Sequence, residues 1–83
     1  MQHSVIIYSM GDYGFDPKVK LFESQSDALD AIDRISDEYI DFMKNKYEYI
    51  SSRYVSEYLY EITYTDPWEG KCVLVIRYSE VED

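Results

Sequence analysis

The chain has 83 residues, of which 8 are Lys or Arg and 17 are Asp or Glu, so its formal net charge is −9 with the single histidine neutral. A chain of this length has room for one thin core, and we predict a single domain over residues 1–83. Nucleic acid and anionic membranes are disfavoured as direct partners, because both would repel this charge. Hydrophobic residues make up 46% of the chain and aromatic residues 17%, more apolar material than a disordered acidic chain carries.

The N-terminal part of the chain predicts two strands around a loop. Residues 4–10 contain a β-branched and aromatic run that is typical of a strand. Residues 11–17 contain two glycines and a proline, which favour a loop. Over residues 18–22 Val and Leu alternate with Lys, which indicates a second, short strand.

A long amphipathic helix is the clearest element, predicted from about residue 26 to residue 46 and capped by Ser24 or Ser26. At about 100° per residue, the apolar side chains gather on the side that we expect to face the core. They are Ala28, Ile32, Ile35, Tyr39, Phe42 and Met43, with Leu29, Ile40 and Tyr47 at the edge of this side. The acids gather on the opposite side, which Arg34 and Lys44 interrupt; they are Asp27, Asp30, Asp33, Asp37, Glu38, Asp41 and Glu48.

The C-terminal part of the chain predicts an antiparallel hairpin. Residues 54–65 alternate with period two, which indicates one strand. Residues 66–70 favour a turn, because they include Pro67 and Gly70. Residues 71–79 form the returning strand. One face of the first strand would carry Tyr54, Ser56, Tyr58, Tyr60, Ile62 and Tyr64, and the other Val55, Glu57, Leu59, Glu61 and Thr63.

Together these elements predict an α+β fold in the order β(β)αββ. We expect an antiparallel sheet of three or four strands with one amphipathic helix packed on one of its faces. A single helix covers only one face of such a sheet, so the other face is either solvated or a partner surface. We expect the surplus tyrosines on that uncovered face.

No catalytic or metal-binding pattern emerges from the sequence, and we predict a protein that is not an enzyme and holds no cofactor. The lone His3 has no Ser or Cys partner at an informative spacing, and the carboxylates lie on an exposed helix face. Residues 12–23 begin with Asp and end with Glu as a calcium-binding loop does, but Gly14 and Pro17 occupy positions where a ligand and a glycine are needed. One Cys and one His are too few for zinc.

Cys72 is the only cysteine, which rules out an intramolecular disulfide and is typical of a cytoplasmic protein. Its apolar neighbours over residues 73–76 predict that it is a small buried hydrophobic residue. No run approaches the roughly 20 apolar residues of a membrane span, and the N-terminus lacks the pattern of a signal peptide. We therefore expect a cytoplasmic location.

The acidic side of the helix is the strongest functional signal. Asp30, Asp33, Asp37 and Asp41 recur every three or four residues, so their carboxylates stand roughly 5–6 Å apart along one face, with Glu38 beside them. Such a row can occupy the Arg and Lys positions of a protein that grips a nucleic-acid backbone. The other interpretation is a solvated face that keeps the protein soluble, and both remain open.

Tyrosine and tryptophan supply further candidate contacts, because both are enriched at interface hot spots. The candidate partner-binding residues in the second half are Glu57, Tyr58, Tyr60, Glu61, Tyr64 and Trp68. The alternative is that the tyrosines pack under the helix, which would leave the two glutamates outside. Trp68 in its turn either anchors a partner or folds back onto the edge of the sheet.

The acidity between Asp27 and Glu48 and the tyrosines between Tyr54 and Tyr64 give the chain a character that resembles small bacteriophage-encoded inhibitors, including anti-CRISPR and DNA-mimic proteins. It is also similar to acidic immunity proteins and barstar-type inhibitors. The resemblance implies a non-enzymatic inhibitor that binds a basic nucleic-acid-binding surface of a defence nuclease, such as a CRISPR effector, in the host cytoplasm. The alternative is a small structural or regulatory module that dimerises through an exposed tyrosine-rich sheet face.

Overall fold

The computed structural model describes residues 2–81, which form one helix and one five-stranded sheet. The elements are β1 (Gln2–Met10), β2 (Lys18–Phe22), α1 (Gln25–Lys46), β3 (Glu48–Ser56), β4 (Leu59–Asp66) and β5 (Gly70–Val81). All neighbouring strands are antiparallel, in the order β2-β1-β5-β4-β3. The predicted α+β class with a helix on one side of an antiparallel sheet is confirmed, but the sheet has five strands rather than three or four.

Helix α1 begins at the first of the two serines considered as caps. The Ser24 Oγ accepts a hydrogen bond of 3.1 Å from the backbone N–H of Asp27, which satisfies one of the free donors of the first turn. The helix ends where Tyr47 takes an extended conformation. Within the described residues, no helix combines the length and apolar character that a membrane crossing requires.

The core lies between α1 and one face of the sheet. Its members from the helix are Ala28, Ala31, Ile32, Ile35 and Met43, and its members from the sheet are Val5, Ile7, Ile62, Tyr64, Cys72, Leu74 and Ile76. The sheet residues alternate along β1, β4 and β5, because successive side chains of a strand point to opposite faces. The prediction that Cys72 is buried is confirmed.

The prediction of one continuous strand over residues 54–65 is wrong, because the chain reverses at Glu57 and Tyr58. The Ser56 Oγ accepts a hydrogen bond of 3.1 Å from the Tyr58 backbone N–H, so a serine side chain supports the turn. No non-glycine residue of the described chain has a positive φ, and neither residue of this turn is a glycine. The turn therefore lacks the Asn-Gly or Asp-Gly sequence that typically marks a two-residue hairpin.

The face of the sheet opposite α1 is uncovered and mainly apolar, with the charged residues Arg53, Glu61 and Arg77 among its apolar side chains. Strand register places on it Ile6, Tyr8, Met10, Val19, Leu21, Leu59, Val73 and Val75. Val19 is 62% exposed and Leu21 is 59% exposed. Tyr8 lies on this face, but the expectation that the surplus tyrosines gather there is wrong, since Tyr49, Tyr60 and Tyr78 pack against the core on the helix side. The name aliphatic sheet face is used below for Ile6, Tyr8, Met10, Val19, Leu21, Leu59, Val73 and Val75.

The one-sided core predicts a sharp difference between two isoleucine truncations. Ile32 of α1 is fully buried, and Ile50 of β3 is 48% exposed. Ile32→Ala should lower the free energy of unfolding by about 2–5 kcal/mol, because it removes buried methyl groups and leaves a cavity. Ile50→Ala should lower it by less than about 1 kcal/mol. Urea denaturation followed by circular dichroism measures both, and equal losses would contradict the assignment of the core.

Candidate functional site

The predicted acidic residues of α1 form one exposed surface, which we name the acidic face. It consists of Asp30, Asp33, Asp37, Glu38 and Asp41, all of which are exposed. The 3.6-residue period places them on the solvent side because the apolar residues of the same helix face the sheet. From the first to the last, the row extends about 16 Å along the helix axis.

Arg34 interrupts the acidic face and offsets part of its charge, but the carboxylates of this face form no close ion pairs within the described chain. Among residues 2–81, no Lys or Arg nitrogen lies within ion-pair distance of its carboxylates, and the ion pair that does form joins Arg53 to Glu61 across the sheet at 3.7 Å. Lys44 follows Asp41 by three residues, but its Nζ lies 5.1 Å from the centroid of the Tyr49 ring. The negative charge of the row is therefore directed outward.

A shallow groove extends the acidic face onto the sheet. It lies where the turn between β3 and β4 approaches the first half of α1, and Leu29, Asp30, Asp33, Tyr54 and Glu57 line it. The structure thus brings together the predicted carboxylates of Asp30, Asp33 and Glu57, which are up to 27 positions apart in the chain. Leu29 and Tyr54 were not among the predicted site residues. The sequence indicated only that Leu29 lies at the edge of the apolar side of the helix and that Tyr54 belongs to an alternating strand pattern.

Two of the predicted tyrosines face the core. Tyr64 is fully buried, and Tyr60 is half-buried and packs against the core. The Tyr60 hydroxyl donates a hydrogen bond of 2.9 Å to the Ser52 Oγ, and the Tyr60 ring meets the Tyr54 ring edge to face at 4.7 Å between centroids. Tyr64 is therefore not part of any exposed surface, and Tyr60 packs beside Tyr54 as its cross-strand partner.

The remaining candidates lie at three separate places. Glu57 and Tyr58 form the turn beside the groove, where interaction with the Glu57 carboxylate raises the pKa of the Tyr58 hydroxyl. Glu61 lies on the opposite side of the sheet, paired with Arg53. Trp68 is 92% exposed in the turn between β4 and β5 and does not fold back onto the sheet.

A buried hydroxyl network connects the core to the loop after β1. The Tyr64 hydroxyl donates a hydrogen bond of 2.9 Å to Asp12 Oδ2 and lies 2.7 Å from the Ser9 Oγ. Burial raises the pKa of Tyr64 well above its ordinary value of 10.0, and the hydrogen bond and negative charge of Asp12 add to this while the hydrogen bond of Ser9 opposes it. This network holds the Asp12 carboxylate in place.

The fold and the site define a small protein with one helix on an antiparallel sheet, and the outer side of that helix carries a row of carboxylates that form no close ion pairs within residues 2–81. Comparison with protein-family models, curated proteins and solved structures finds no match to this chain. Within residues 2–81, no three His, Cys, Asp or Glu side chains converge as the ligands of a metal ion would.

The Tyr64 network predicts a pH dependence of stability. Above pH 10 the unfolded chain loses the Tyr64 proton while the folded protein keeps it, so the free energy of unfolding falls as pH rises beyond that value. Below it this contribution is fully present. Tyr64→Phe should cost about 1 kcal/mol at neutral pH through its lost hydrogen bond, and its stability should fall less steeply than that of the native protein as pH rises above about 10. Urea midpoints measure both slopes, and parallel curves would contradict the raised pKa.

Proposed function

We propose that the protein is a non-enzymatic inhibitor that binds a basic nucleic-acid-binding surface of another protein and blocks it by competition. The observation that carries the proposal is the acidic face, in which four aspartates follow one another along α1 and remain exposed and unpaired within the described chain. The partner is a defence nuclease, such as a CRISPR effector, and the protein acts in the cytoplasm of the host cell. The inhibitor character rests on the resemblance to small acidic phage proteins.

The spacing of the carboxylates supports mimicry of a nucleic-acid backbone. Successive aspartates are separated by about 4.5–6 Å along the axis, whereas phosphates of one DNA strand follow at about 3.4 Å of helical rise. Both are regular rows of single negative charges. Arg and Lys side chains are long and flexible enough to follow either spacing, so a channel that grips phosphates offers suitable partners for the row.

The cost of the row to the free protein also favours a basic partner. Like charges three or four residues apart destabilise a helix by a few tenths of a kcal/mol per pair. Asp is moreover a poorer helix former than Glu. A cationic surface removes the repulsion on binding, and complementary charge speeds the encounter of the two proteins.

The groove supplies the apolar contacts that charge alone does not provide. Tyr54 is 46% exposed and Tyr58 is 41% exposed, and Leu29 lies in the groove beside Asp30. Aromatic side chains that become fully desolvated carry much of the binding energy of protein interfaces. The proposed contact surface is therefore the acidic face together with the groove and Tyr58.

Reversing the charge of the acidic face tests the proposal. Asp33→Lys, Asp37→Lys and Asp41→Lys, combined in one variant, should abolish inhibition, because the row would then repel the basic channel. The tagged protein is used to capture partners from bacterial lysate, the captured protein is identified, and its nuclease activity is measured with and without the inhibitor. Capture should weaken strongly at about 0.5 M salt, because exposed charges then attract each other over only a few ångströms.

The matched control places the same charge change elsewhere. Asp16, Glu23 and Glu69 are exposed and lie outside α1, so replacing all three with Lys gives the same net charge as the helix variant. The control should retain most of the inhibition. Unchanged inhibition by the helix variant, or capture of no nucleic-acid-handling protein by the native chain, would overturn the proposal. Unchanged circular dichroism of both variants excludes unfolding.

The aliphatic sheet face favours a second candidate function, that of an interaction module which dimerises through this face. We propose it in place of a tyrosine-rich interface, because Val19, Leu21 and Met10 are each at least 50% exposed there. Contiguous exposed apolar patches are typical of protein interaction sites. A stable dimer would need to bury about 800 Å² on each copy.

Sedimentation velocity at high salt tests this second candidate. Apolar association persists when charge is screened, so the native protein should sediment as a dimer at about 0.5 M salt. Leu21→Lys should give a monomer, because it places a charge in the apolar interface. Val55→Lys is the matched control, since Val55 is 48% exposed on the edge strand β3. A native monomer at all concentrations would exclude the dimer.

A further inference from the structure

A pocket separate from the groove opens between the loop over residues 11–17 and the second half of α1. Its volume is about 290 Å³, and its walls include Asp12, Phe15, Lys18, Tyr39, Phe42 and Tyr47. The loop, the start of β2, the helix and the residue after the helix each contribute to it. The pocket is therefore formed only when α1 packs on the sheet.

Four of the eight residues that line the pocket are aromatic. Phe15 and Tyr39 have ring centroids 6.1 Å apart with their planes tilted by 58°, and Phe42 and Tyr47 are 5.8 Å apart with a tilt of 53°. The face of an aromatic ring carries negative charge density and attracts a cation within about 6 Å of its centroid. A wall of this composition favours organic cations.

A fixed carboxylate completes the pocket. Asp12 Oδ1 accepts a hydrogen bond of 3.1 Å from the Gly14 backbone N–H, and Asp12 Oδ2 accepts the hydrogen bond from the Tyr64 hydroxyl. These bonds hold the half-buried carboxylate beside the rings while its remaining lone pairs stay free. Burial raises the pKa of Tyr47, and the negative charges of Asp12 and Asp66 raise it further, in keeping with a negative potential at this wall.

The chain already places one cation at the pocket. The Lys18 Nζ lies 5.7 Å from the centroid of the Phe15 ring, close to the limit for a cation–π contact. Within residues 2–81 it forms no ion pair with Asp12 at 4.0 Å or less. The ammonium group of Lys18 thus occupies the rim of the pocket and leaves the carboxylate available.

We propose that this pocket binds the guanidinium or ammonium group of an Arg or Lys side chain presented by a partner protein. The rings receive the alkyl stem and the cation, and Asp12 accepts hydrogen bonds from its N–H groups. An anion would be repelled by Asp12, and a neutral apolar group would bury that carboxylate without a compensating positive charge. Lys18 competes with the incoming cation.

Two further aromatic side chains indicate a protein as the source of the cation. Tyr13 in the loop is 90% exposed and Trp68 in the turn between β4 and β5 is 92% exposed. The loop and the turn lie at the same end of the sheet, where a Cβ built on Gly11 would lie 3.2 Å from the Lys71 carbonyl oxygen. Exposed Tyr and Trp rings are typical anchors of protein interfaces. This inference rests on the proposed function, which supplies a basic partner.

Nuclear magnetic resonance titration tests the pocket directly with small probes. N-acetyl-argininamide and N-acetyl-lysinamide should shift the aromatic resonances of Phe15, Tyr39 and Tyr47 of the native protein. N-acetyl-glutaminamide, the neutral control, should not. Tetramethylammonium represents a free small cation, and binding of it at least tenfold tighter than the arginine probe would overturn the assignment to a partner side chain.

Two variants separate the carboxylate from the competing lysine. Asp12→Asn keeps the size of the side chain and should weaken the arginine probe about tenfold, because the charge-assisted hydrogen bonds are lost. Lys18→Met keeps the apolar stem and should strengthen it about threefold, because the competing ammonium is removed. Equal affinity of the native protein and Asp12→Asn, or equal shifts with the neutral probe, would overturn the proposal.

The helix variant with three charge reversals distinguishes the failure of the pocket from the failure of the proposed function. Its substitutions leave every pocket residue in place, so at about 0.15 M salt it should bind the arginine probe as the native protein does. Loss of probe binding in this variant would overturn the assignment of the cation to the pocket. Native probe binding without nuclease inhibition would remove the proposed function and leave the pocket intact.

Discussion

One helix must cross the sheet from edge to edge, and the rest of the structure depends on this constraint. Helix α1 connects β2 and β3, which are the two outer strands of the sheet and run in the same direction. It must therefore cross about 19 Å of sheet width and also return along the strand direction, and its 22 residues span roughly 33 Å. Because the chain has no second helix among the described residues, the core forms on one side of the sheet only. The same crossing therefore exposes the acids on the outer side of α1 and leaves the aliphatic sheet face uncovered.

The loop after β1 is positioned by a second, local constraint. Gly11 has a φ of +96° and lies so close to β5 that a Cβ there would meet the Lys71 carbonyl oxygen at 3.2 Å. Only glycine combines that backbone conformation with that close approach at little cost. The chain can then turn directly from β1 into the loop, which brings Asp12 within reach of the buried Tyr64 hydroxyl. A core residue thus orients the carboxylate of a surface pocket.

The sequence predicted those parts of the fold whose signals are local. The cap at Ser24, the helix period and the Pro and Gly of the turn at residues 66–70 each act within a few residues, and the exposure of the acidic face followed from the helix period. The hairpin at Glu57 and Tyr58 was missed because Tyr54 pairs with Tyr60 and Ser52 with Ile62. Because even-numbered residues of β3 pair with even-numbered residues of β4 here, the even-numbered side chains lie on the same face of the sheet before and after the turn. The period-two pattern of the sequence therefore continues through the turn without a break. The groove and the pocket were not predictable, because each joins distant segments that only the strand order brings together.

The acidic face and the aromatic pocket would act at different stages of the proposed encounter. The field of the row extends over about 10 Å at 0.1 M salt, so it acts before contact and mainly raises the rate of association. The pocket acts only after contact, since a cation must shed water to reach the rings and Asp12, and such desolvated contacts mainly lower the rate of dissociation. Both features require positive charge on the partner, but they require it differently. The row needs several cations in register, whereas the pocket needs a single long side chain at the opposite end of α1 from the groove. A partner that satisfies both must therefore present a basic surface about as long as the helix itself, which a channel built to hold a nucleic-acid strand provides.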